Sequence, residues 1–364
     1  MPFTAQELAN IYNSALDFYL DKGKLTAQNI QDKPMLKAFE SASGTFSGGK
    51  GDVSIGIKTG QGGGSLAGYT HDDPVSYYNP TPAKRVNYSW KEMFMGLGFT
   101  HTELKHGGIT VIESGADQST SMKEGREQHV LAEILDEKLS AFDEDYNISK
   151  DALIHGDGSG DAKSIAGIKA FILDNPALGS TGGLNRTTNA WWRNRAATTA
   201  AQSAGTGFAP ISSSSTGGGV LLTFLQKERR QLKRYASGTA MRHKCFAGSD
   251  FIAAMEAEIR ANGNYSLSGY RDRRTNDGSM ATEEGVPFGS WNFVYDPTLD
   301  DLGLEKRAYI IDMASIKLLY MVGEKKKRCN PARPHDRFVM YQGVSDTAVM
   351  VAKRLRTSGV YDIA

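Results

Sequence analysis

The sequence has few of the features that mark secreted, membrane-spanning or redox proteins. Its two cysteines, Cys245 and Cys329, are far apart and form no C-x-x-C pair, which favours two free thiols in a reducing compartment over a disulfide. No window approaches the ~18 uninterrupted apolar residues that a membrane helix needs. The opening segment lacks the basic and apolar regions of a signal peptide. We therefore expect a chain that is made in the cytoplasm and stays soluble until it meets its partners.

An excess of charge of one sign is also missing. Lysine and arginine total 42 against 41 aspartates and glutamates, so the formal net charge is +1. A protein that grips nucleic acid over most of its surface usually carries a basic excess, so this function is disfavoured. Two local basic runs remain, KERRQLKR at 227–234 and EKKKRCNPARPHDR at 324–337. They are read first as solvated surfaces, and alternatively as sites of intersubunit charge pairing or weak DNA contact.

Each metal-binding or phosphate-binding motif that the sequence suggests lacks at least one required residue. The GDGSGD segment places Asp157, Ser159 and Asp161 as the first three ligands of a calcium loop. Ala162 then stands where the turn needs glycine, and Ile168 where a bidentate glutamate is needed, so a tight loop is favoured. GQGGG lacks the Lys-Ser/Thr of a phosphate loop, and the histidines of HTELKH are not spaced for zinc. The sequence predicts no catalytic, cofactor-binding or metal-binding residue.

Glycine is abundant, with 40 in 364 residues, concentrated around 44–68 and 156–219. These clusters have no fixed period, so they predict extended or tightly turned backbone rather than a repeat fold. The pair Trp191 and Trp192 stands out in the second cluster, within NAWWRN. An interface aromatic next to arginine and a plain core anchor are both compatible with this pair.

Alternation of apolar residues predicts two long extended segments in the first third of the chain. Val53, Ile55 and Ile57 alternate on one side of a pliable glycine-rich stretch, and Val86, Tyr88 and Trp90 alternate on the other, continuing at Met93. The phase slips between Trp90 and Met93, which predicts a β-bulge near Lys91 and Glu92. A long two-stranded ribbon is marginal alone in water, so we expect it to lie on a neighbouring subunit.

Helical spacing predicts an amphipathic helix at 4–21, a long helix at 121–146, and further helices at 218–236 and 250–262. The long helix has a capping box at Ser121 and Glu124. Residues 264–300 are expected to be irregular. Strands are predicted at HKCFAGSDF and, from 308 onward, at AYIID, IKLLYMV, RFVMYQ and TAVMVAKRL. Strands before a long helix, followed by mixed elements, indicate an α+β protein.

The order of these segments resembles the major capsid proteins of tailed bacteriophages that share the HK97-like fold. The segments that carry the resemblance include ALIHGDGSGDAKSIAGIKAFI, NRTTNAWWRN and the closing YQGVSDTAVMVAKRLRTSGVYDI. The division that the resemblance implies is an N-terminal arm at 1–45, an extended β-ribbon loop at 46–107, a peripheral domain at 108–215 with a spine helix at 121–146, an axial domain at 216–325, and a return to the peripheral domain at 326–364.

The resemblance implies a structural protein and not an enzyme. Many copies would form hexamers and pentamers of an icosahedral head that encloses double-stranded DNA, with glycine-rich hinges that let the ribbon tilt during procapsid maturation. The implied partners are a separate scaffolding protein, a portal protein and packaged DNA by weak contact, with no membrane. A decoration protein is left open as a further partner. The implied location is the virion capsid, reached through the host cytoplasm during assembly.

Apolar faces such as Val86, Tyr88 and Trp90 are expected to be buried under adjacent subunits. The residues predicted to make intersubunit contacts are Lys50, Lys58, Arg85, Tyr88, Trp90, Arg229, Arg230 and Arg234. Lys50 and Lys58 lie in the loop that some relatives crosslink, but no motif marks them as crosslinking residues, so a non-covalent shell is expected.

Three alternatives remain compatible with the sequence. An encapsulin-like cellular shell would share the fold and carry an enzyme cargo. A tail tube protein is disfavoured by the long charged helix, because tube proteins consist mostly of strands. An enzyme or carbohydrate-binding module using the glycine-rich loops would need a pocket with converging polar groups, of which the sequence shows no sign.

Overall fold

The structure is a computed structural model. It describes residues 3–4, 31–58, 66–74, 77–79, 83–100, 102, 111–112, 124–213, 220–236, 243–261, 285–329 and 339–364. The chain divides into two compact units. Unit 1 comprises Met1–Gln31, Glu92–Ala152 and Val322–Thr347, and unit 2 comprises Asp32–Lys91, Leu153–Met321 and Ala348–Ala364.

The described helices are α1 (Pro34–Ser41), α2 (Glu124–His155), α3 (Ile168–Phe171), α4 (Thr199–Ser203), α5 (Leu221–Tyr235), α6 (Ser249–Ala261) and α7 (Pro297–Asp301), with one 3-10 turn at Ala190–Trp192. The described strands are β1 (Phe3–Thr4), β2 (Gly44–Phe46), β3 (Asp52–Ile57), β4 (Lys84–Ser89), β5 (Lys91–Thr100), β6 (Val111–Ile112), β7 (Ser180–Thr181), β8 (Leu184–Asn185), β9 (Arg195–Ala197), β10 (His243–Ala247), β11 (Gly285–Phe288), β12 (Trp291–Tyr295), β13 (Arg307–Asp312), β14 (Ile316–Met321), β15 (Lys327–Cys329), β16 (Val339–Ala352) and β17 (Gly359–Asp362).

A six-stranded mixed sheet in the order β11-β12-β10-β13-β17-β9 holds the main core of unit 2. Strand β10 runs parallel to β12 and antiparallel to β13. Every residue of β13 is buried, as expected for a central strand covered on both faces. Helix α6 packs on β12 and β13 and against α5. The buried core includes Leu225 and Leu232 from α5, Phe251 and Met255 from α6, and Phe293 from the sheet.

A second group of strands in unit 2 pairs β14 with β2 and with the last residues of β16, from Ala348 to Ala352. Helix α1 begins with Pro34, whose missing N–H costs nothing at the first helical position. This helix buries Met35 and Phe39 and contacts β10 and β14.

Strands β3 and β4 form an antiparallel ribbon, also in unit 2. The register runs from Asp52 opposite Ser89 to Ile57 opposite Lys84. One face of the ribbon is apolar, because side chains alternate between the two faces of a strand. The two predicted extended segments therefore pair with each other, as the alternation indicates. The predicted bulge near Lys91 and Glu92 is instead a break at Trp90, which separates β4 from β5.

Unit 1 contains most of α2 together with β5, β15 and the first part of β16. Helix α2 has 32 residues, which corresponds to ~48 Å at ~1.5 Å per residue. Strands β15 and β5 both pair with β16. A Cβ atom at Gly343 of β16 would lie 2.4 Å from the ring of Phe94 in β5, so glycine is needed where this ring crosses the neighbouring strand.

The long helix is displaced from its prediction: apolar spacing places it at 121–146, and the structure shows it at Glu124–His155. In the last turns, Lys150 interrupts the apolar spacing, although Leu153 and Ile154 follow it. Lys150 and His155 are nonetheless buried, and each pairs with an aspartate, Asp346 and Asp296 respectively. Buried charges are tolerated when they are paired, so apolar spacing alone underestimates where such a helix ends.

Two further predictions are corrected. Residues 264–300 are irregular by local composition, but strands β11 and β12 and helix α7 occupy their described part. The regular structure there depends on the pairing of β12 with β10, which local composition does not reveal. RFVMYQ and TAVMVAKRL are predicted as separate strands, and from Val339 onward they belong to the single strand β16. The predicted helix at 4–21 lies outside the described residues except for Thr4.

Candidate assembly surfaces

The ribbon is anchored in unit 2 through one face of β4. The hydroxyl of Tyr88 donates to the carbonyl of Ala352 at 3.0 Å, and its ring centroid lies 5.7 Å from that of Phe171. Val86 is fully buried beside it. These two side chains are buried within their own chain, and their role as intersubunit contacts stays a prediction. Alternation alone cannot tell burial within the chain from burial between chains.

The segment NRTTNAWWRN supports the face of the ribbon that carries Val86 and Tyr88. Arg186 is fully buried and donates to the hydroxyl of Thr181, to the side-chain oxygen of Asn194 at 2.6 Å and to the carbonyl of Phe171 at 2.6 Å. Burial lowers the pKa of Arg186 to about 10, since no carboxylate offsets the loss of solvent in its described contacts. The carbonyl of Gly182, in the turn between β7 and β8 just before this segment, accepts from the amide of Asn87 at 3.1 Å, which ties that turn to β4.

The tryptophan pair has two different roles. Trp192 is buried and donates from Nε1 to the carbonyl of Thr181 at 3.1 Å, so it is a core anchor. Trp191 is half-buried, with its ring centroid 5.8 Å from that of Trp192.

The segment that links β3 to β4 exposes large apolar side chains. Among its described residues, Leu66 and Tyr77 are almost entirely exposed, Tyr69 is 71% exposed and Tyr78 is 60% exposed. Exposed single apolar residues are ordinary, but four large ones in one short segment are a concentration that a soluble surface rarely shows. We call Leu66, Tyr69, Tyr77 and Tyr78 the ribbon-tip residues. Sequence reasoning missed them, although three tyrosines and a leucine in an otherwise polar, glycine-rich segment were a usable signal.

Basic residues flank the ribbon. Lys50, Lys58 and Arg85 are exposed, and the structure does not bring them together in one contact. Trp90 is half-buried and donates from Nε1 to the carbonyl of Lys50 at 2.8 Å, which links the start of β3 to the end of β4. Lys50, Lys58, Arg85 and Trp90 therefore remain predictions as intersubunit contacts.

Helix α5 carries the other predicted contacts. Arg230 and Arg234 are exposed, while Arg229 is half-buried with its guanidinium 5.9 Å from the ring centroid of Phe288. The helix buries its apolar side and directs most of its basic residues to solvent. This agrees with the interpretation of KERRQLKR as a solvated face. The three arginines also remain predictions as contacts.

Two groups that could carry chemistry, Asp157 and Cys245, have environments that favour a structural role. The carboxylate of Asp157 accepts from the amide and hydroxyl of Ser159, which lowers the pKa of Asp157 and closes the tight loop after α2. Burial raises the pKa of the Cys245 thiol, the opposite of what a nucleophile needs. The described part of the chain contains no group of three or more His, Cys, Asp or Glu side chains placed to hold a metal ion. Within the same residues, no helix is long and apolar enough to cross a bilayer.

Comparison of the whole chain with solved structures gives full-length matches at low sequence identity. A subunit from the capsid asymmetric unit of cyanophage A-1(L) is similar at a TM-score of 0.61 and 13% identity, over 93% of this chain and 95% of the other. The chain has the HK97-like capsid fold. A subunit of the mature capsid of bacteriophage PhiM1 is similar at a TM-score of 0.50 and 8% identity, over 94% and 90% of the two chains. No protein-family model and no curated sequence matches the chain.

The HK97-like fold agrees with the α+β architecture of the described residues. Both matches span almost the entire chain, so the ribbon, the long helix and the six-stranded sheet belong to one fold and not to a domain joined to unrelated segments. Likeness at this level of identity establishes the fold, while function has to be argued from the surfaces.

Proposed function

We propose that this chain is the shell subunit of a tailed-phage head, a structural protein that acts by assembling with many copies of itself. The observation that carries the proposal is the full-length likeness to a cyanophage capsid subunit. A shell function needs adhesive surfaces more than a reactive pocket. The ribbon-tip residues provide such a surface, because they expose apolar side chains that a solitary soluble chain has no reason to display.

The ribbon is suited to bridging copies. Its β4 strand is fixed to its own chain by Tyr88 and Val86, while the ribbon-tip residues make no comparable burial within the described chain. A fixed base with an apolar tip can place that tip on an adjacent copy. Burial of apolar surface at ~25 cal/mol per Å² would then stabilise the assembly. Lys50, Lys58 and Arg85 would contact the same neighbour through charge.

The finer parts of the proposal follow from this role. Hexamers and pentamers would close into an icosahedral shell around double-stranded DNA, with a portal protein at one vertex and a separate scaffolding protein during assembly. The near-neutral net charge of +1 suits a shell that touches packaged DNA only weakly. The subunit would have no catalytic activity. It would reside in the virion after assembly in the host cytoplasm.

The test is assembly of the purified full-length chain, followed by sedimentation velocity and negative-stain electron microscopy. We expect capsomer rings, tubes or closed shells from the wild type. The triple variant Leu66→Ser, Tyr77→Ser, Tyr78→Ser should keep the circular dichroism spectrum of the wild type and remain unassembled, because its changed side chains are exposed.

Leu178→Ser is the matched control for this experiment. Leu178 is 60% exposed, like Tyr78, but lies outside the ribbon. This variant should assemble as the wild type does. A wild-type chain that stays a monodisperse monomer under every condition, including addition of a scaffolding protein from the same genome, would contradict the proposed function.

A further inference from the structure

The six-stranded sheet of unit 2 has two chemically opposite ends. Strand β10 starts at His243 and stops at Ala247, and its antiparallel neighbour β13 runs back from Ala308 to Asp312. We call the end near His243 and Asp312 the basic end. We call the end near Ala247 and Ala308 the acidic end. The two ends are separated by the five residues of β10, which span ~16 Å at ~3.3 Å per residue.

The basic end collects cations around one tyrosine, of which Arg234 and Arg354 are exposed and Arg356 is half-buried. Helix α5 ends at Tyr235, whose side chain is 37% exposed. The guanidinium of Arg356 lies 3.9 Å from its ring centroid and that of Arg234 lies 5.6 Å away. Arg354 donates to the carbonyl of Tyr235 at 3.3 Å. This group lies at the basic end because Thr357, next to Arg356, accepts a hydrogen bond through its carbonyl from Nε2 of His243 at 2.9 Å.

The exposed face of α5 extends this positive surface, and the helix itself exposes no acidic residue there. Lys227, Arg230 and Lys233 are exposed on the helix. The single acidic residue of the helix sequence, Glu228, is buried and paired with Arg195, so it does not neutralise that face. Asp312, the acidic group on the neighbouring strand end, is buried and accepts from the hydroxyl of Ser315.

The acidic end collects carboxylates around another tyrosine. Tyr295 is 43% exposed and donates to Asp300 at 2.8 Å, and this carboxylate raises the pKa of Tyr295 to about 12. The carboxylates of Asp250, Asp301 and Glu305 are exposed nearby on α6, α7 and the turn before β13.

This placement at the acidic end follows from backbone contacts. The carbonyl of Glu305 accepts from the amide of Phe251 in α6 at 3.2 Å, and Asp300 accepts from the amide of Ser249 at 3.0 Å. Lys306 is an exposed cation at this end, and its Nζ lies 3.5 Å from the backbone oxygen of Ala364.

The two ends cannot neutralise each other within one chain. Their separation exceeds the screening length of ~10 Å at ~0.1 M salt. The basic end presents positive charge and the acidic end presents mainly negative charge, with Lys306 as an exception, and each end has an exposed tyrosine. Tyrosine and arginine are enriched where proteins bind one another. Complementary patches on opposite sides of a subunit are the requirement for a heterologous contact, which generates a ring when the rotation closes.

We propose that the basic end of one copy binds the acidic end of the next, so that copies join head to tail around a ring. This inference rests on the proposed shell function and names the surface that would join adjacent subunits in one capsomer. The occupant of the basic end is a second copy of this chain, because the chain itself supplies the complementary charge. Duplex DNA is the competing polyanion, and charge reversal distinguishes the two.

The test uses two full-length charge-reversal variants. The basic-end variant is Arg230→Glu, Arg234→Glu, and the acidic-end variant is Asp301→Lys, Glu305→Lys. Asp300 is left unchanged because it caps α6. Each variant alone should raise the concentration needed for assembly by at least about tenfold, since like charges then face each other. Combining all four substitutions in one chain should restore assembly to within about threefold of the wild type. Mixing the two variants should restore six-membered rings, in which they can alternate, but not five-membered rings.

Two controls guard against misfolding and general charge effects. Arg230→Lys, Arg234→Lys keeps the charge and should assemble as the wild type does. Lys163→Glu reverses an exposed charge in the loop after α2 and should have no effect. Wild-type assembly should also weaken between about 0.1 M and about 1 M NaCl, as the screening length falls from ~10 Å to ~3 Å.

The outcomes separate this inference from the proposed function. Assembly of both reversal variants at the wild-type concentration would overturn the inference and leave the shell function intact. Unchanged assembly of Arg230→Glu, Arg234→Glu with loss of affinity for a duplex oligonucleotide would assign the basic end to DNA and also overturn it. A wild-type chain that never assembles would overturn both.

Discussion

Lys150 and Asp346 form a buried ion pair in unit 1. Their charged atoms lie 3.2 Å apart, and both side chains are almost completely buried. Asp346 also accepts from the hydroxyl of Tyr146 and from the amide of Lys326. This carboxylate therefore joins the long helix to the turn before β15 and to β16. A pair of this kind contributes little net stability against an apolar pair, but breaking one half is costly.

We expect Asp346→Asn to destabilise the folded chain by roughly 3–5 kcal/mol, because the Lys150 ammonium loses its buried carboxylate. Adding Lys150→Met should recover part of that loss. Urea unfolding of the two single variants and the double variant measures both values. A double variant that loses as much stability as the sum of the singles would contradict coupling between these side chains.

Arg186 is a buried cation held by neutral groups. Its guanidinium contacts the hydroxyl of Thr181, the side chain of Asn194 and the carbonyl of Phe171 at the same time. The planar fork of arginine reaches these separate acceptors, which a single ammonium cannot do. Arg186 thus organises the loop that supports the ribbon.

Arg186→Lys should lower the free energy of unfolding by roughly 2–4 kcal/mol, since buried acceptors are left without donors. Arg193→Lys is the matched control. Arg193 donates to the carbonyls of Arg186 and Thr187 but is only half-buried, so we expect a loss below about 1 kcal/mol. Denaturant titration compares them, and equal losses would rule out the special role of Arg186.

At the scale of elements, the hairpin of β7 and β8 supports the ribbon at one glycine. Gly182 has φ +61°, and a Cβ atom there would lie 2.9 Å from the Cβ of Val86 and 3.0 Å from the ring of Tyr88. Gly183 has φ +81° with open space around it. Gly182 therefore needs glycine for close packing as well as for backbone conformation, whereas Gly183 needs it for backbone conformation alone.

Gly182→Ala should destabilise the chain by roughly 2–4 kcal/mol, from backbone strain together with overpacking against β4. Gly183→Ala should cost about 1 kcal/mol, from backbone strain alone. Thermal and urea unfolding test the difference between the two variants. If Gly183→Ala were as damaging as Gly182→Ala, the close contact with the ribbon would not be the cause.

At the scale of the whole molecule, the chain combines a near-zero net charge with surfaces that separate apolar and charged groups. The ribbon-tip residues expose apolar area, and the sheet of unit 2 carries opposite charge at its two ends. Neither arrangement stabilises a solitary chain. Both are useful to a subunit that stabilises its fold further by binding copies of itself.

The thermal midpoint of the wild type should therefore rise with protein concentration, because assembly binds the folded state and not the unfolded one. The triple variant at Leu66, Tyr77 and Tyr78 should have a midpoint that does not depend on concentration. A hundredfold range of protein concentration corresponds to roughly 2.7 kcal/mol of stabilisation of the folded state by mass action. Calorimetry over that range therefore measures the difference between the two proteins. A wild-type midpoint that stays constant while shells are present would argue against this coupling.

The local pattern of the sequence by itself determined much of the architecture. The alternation at Val53–Ile57 and Val86–Tyr88, the helical spacing of α5 and α6, and the strand at β10 all recur in the structure within a few residues. These elements are readable because the period of apolar residues reports the geometry of the backbone directly. The order of the segments was also enough to indicate the fold.

Tertiary structure alone decided which apolar faces are used and where polar elements continue. Periodicity places Tyr88 on an apolar face, but only the fold shows that this face packs on Phe171 and Ala352 of its own chain. The buried polar residues at the end of α2 and the strands β11 and β12 depend on partners distant in sequence, such as Asp346, Asp296 and β10. The charges at the two ends of the sheet lie apart in sequence as well. Pairing over such distances leaves no periodic trace in the chain, so it is decided only when the strands and helices meet.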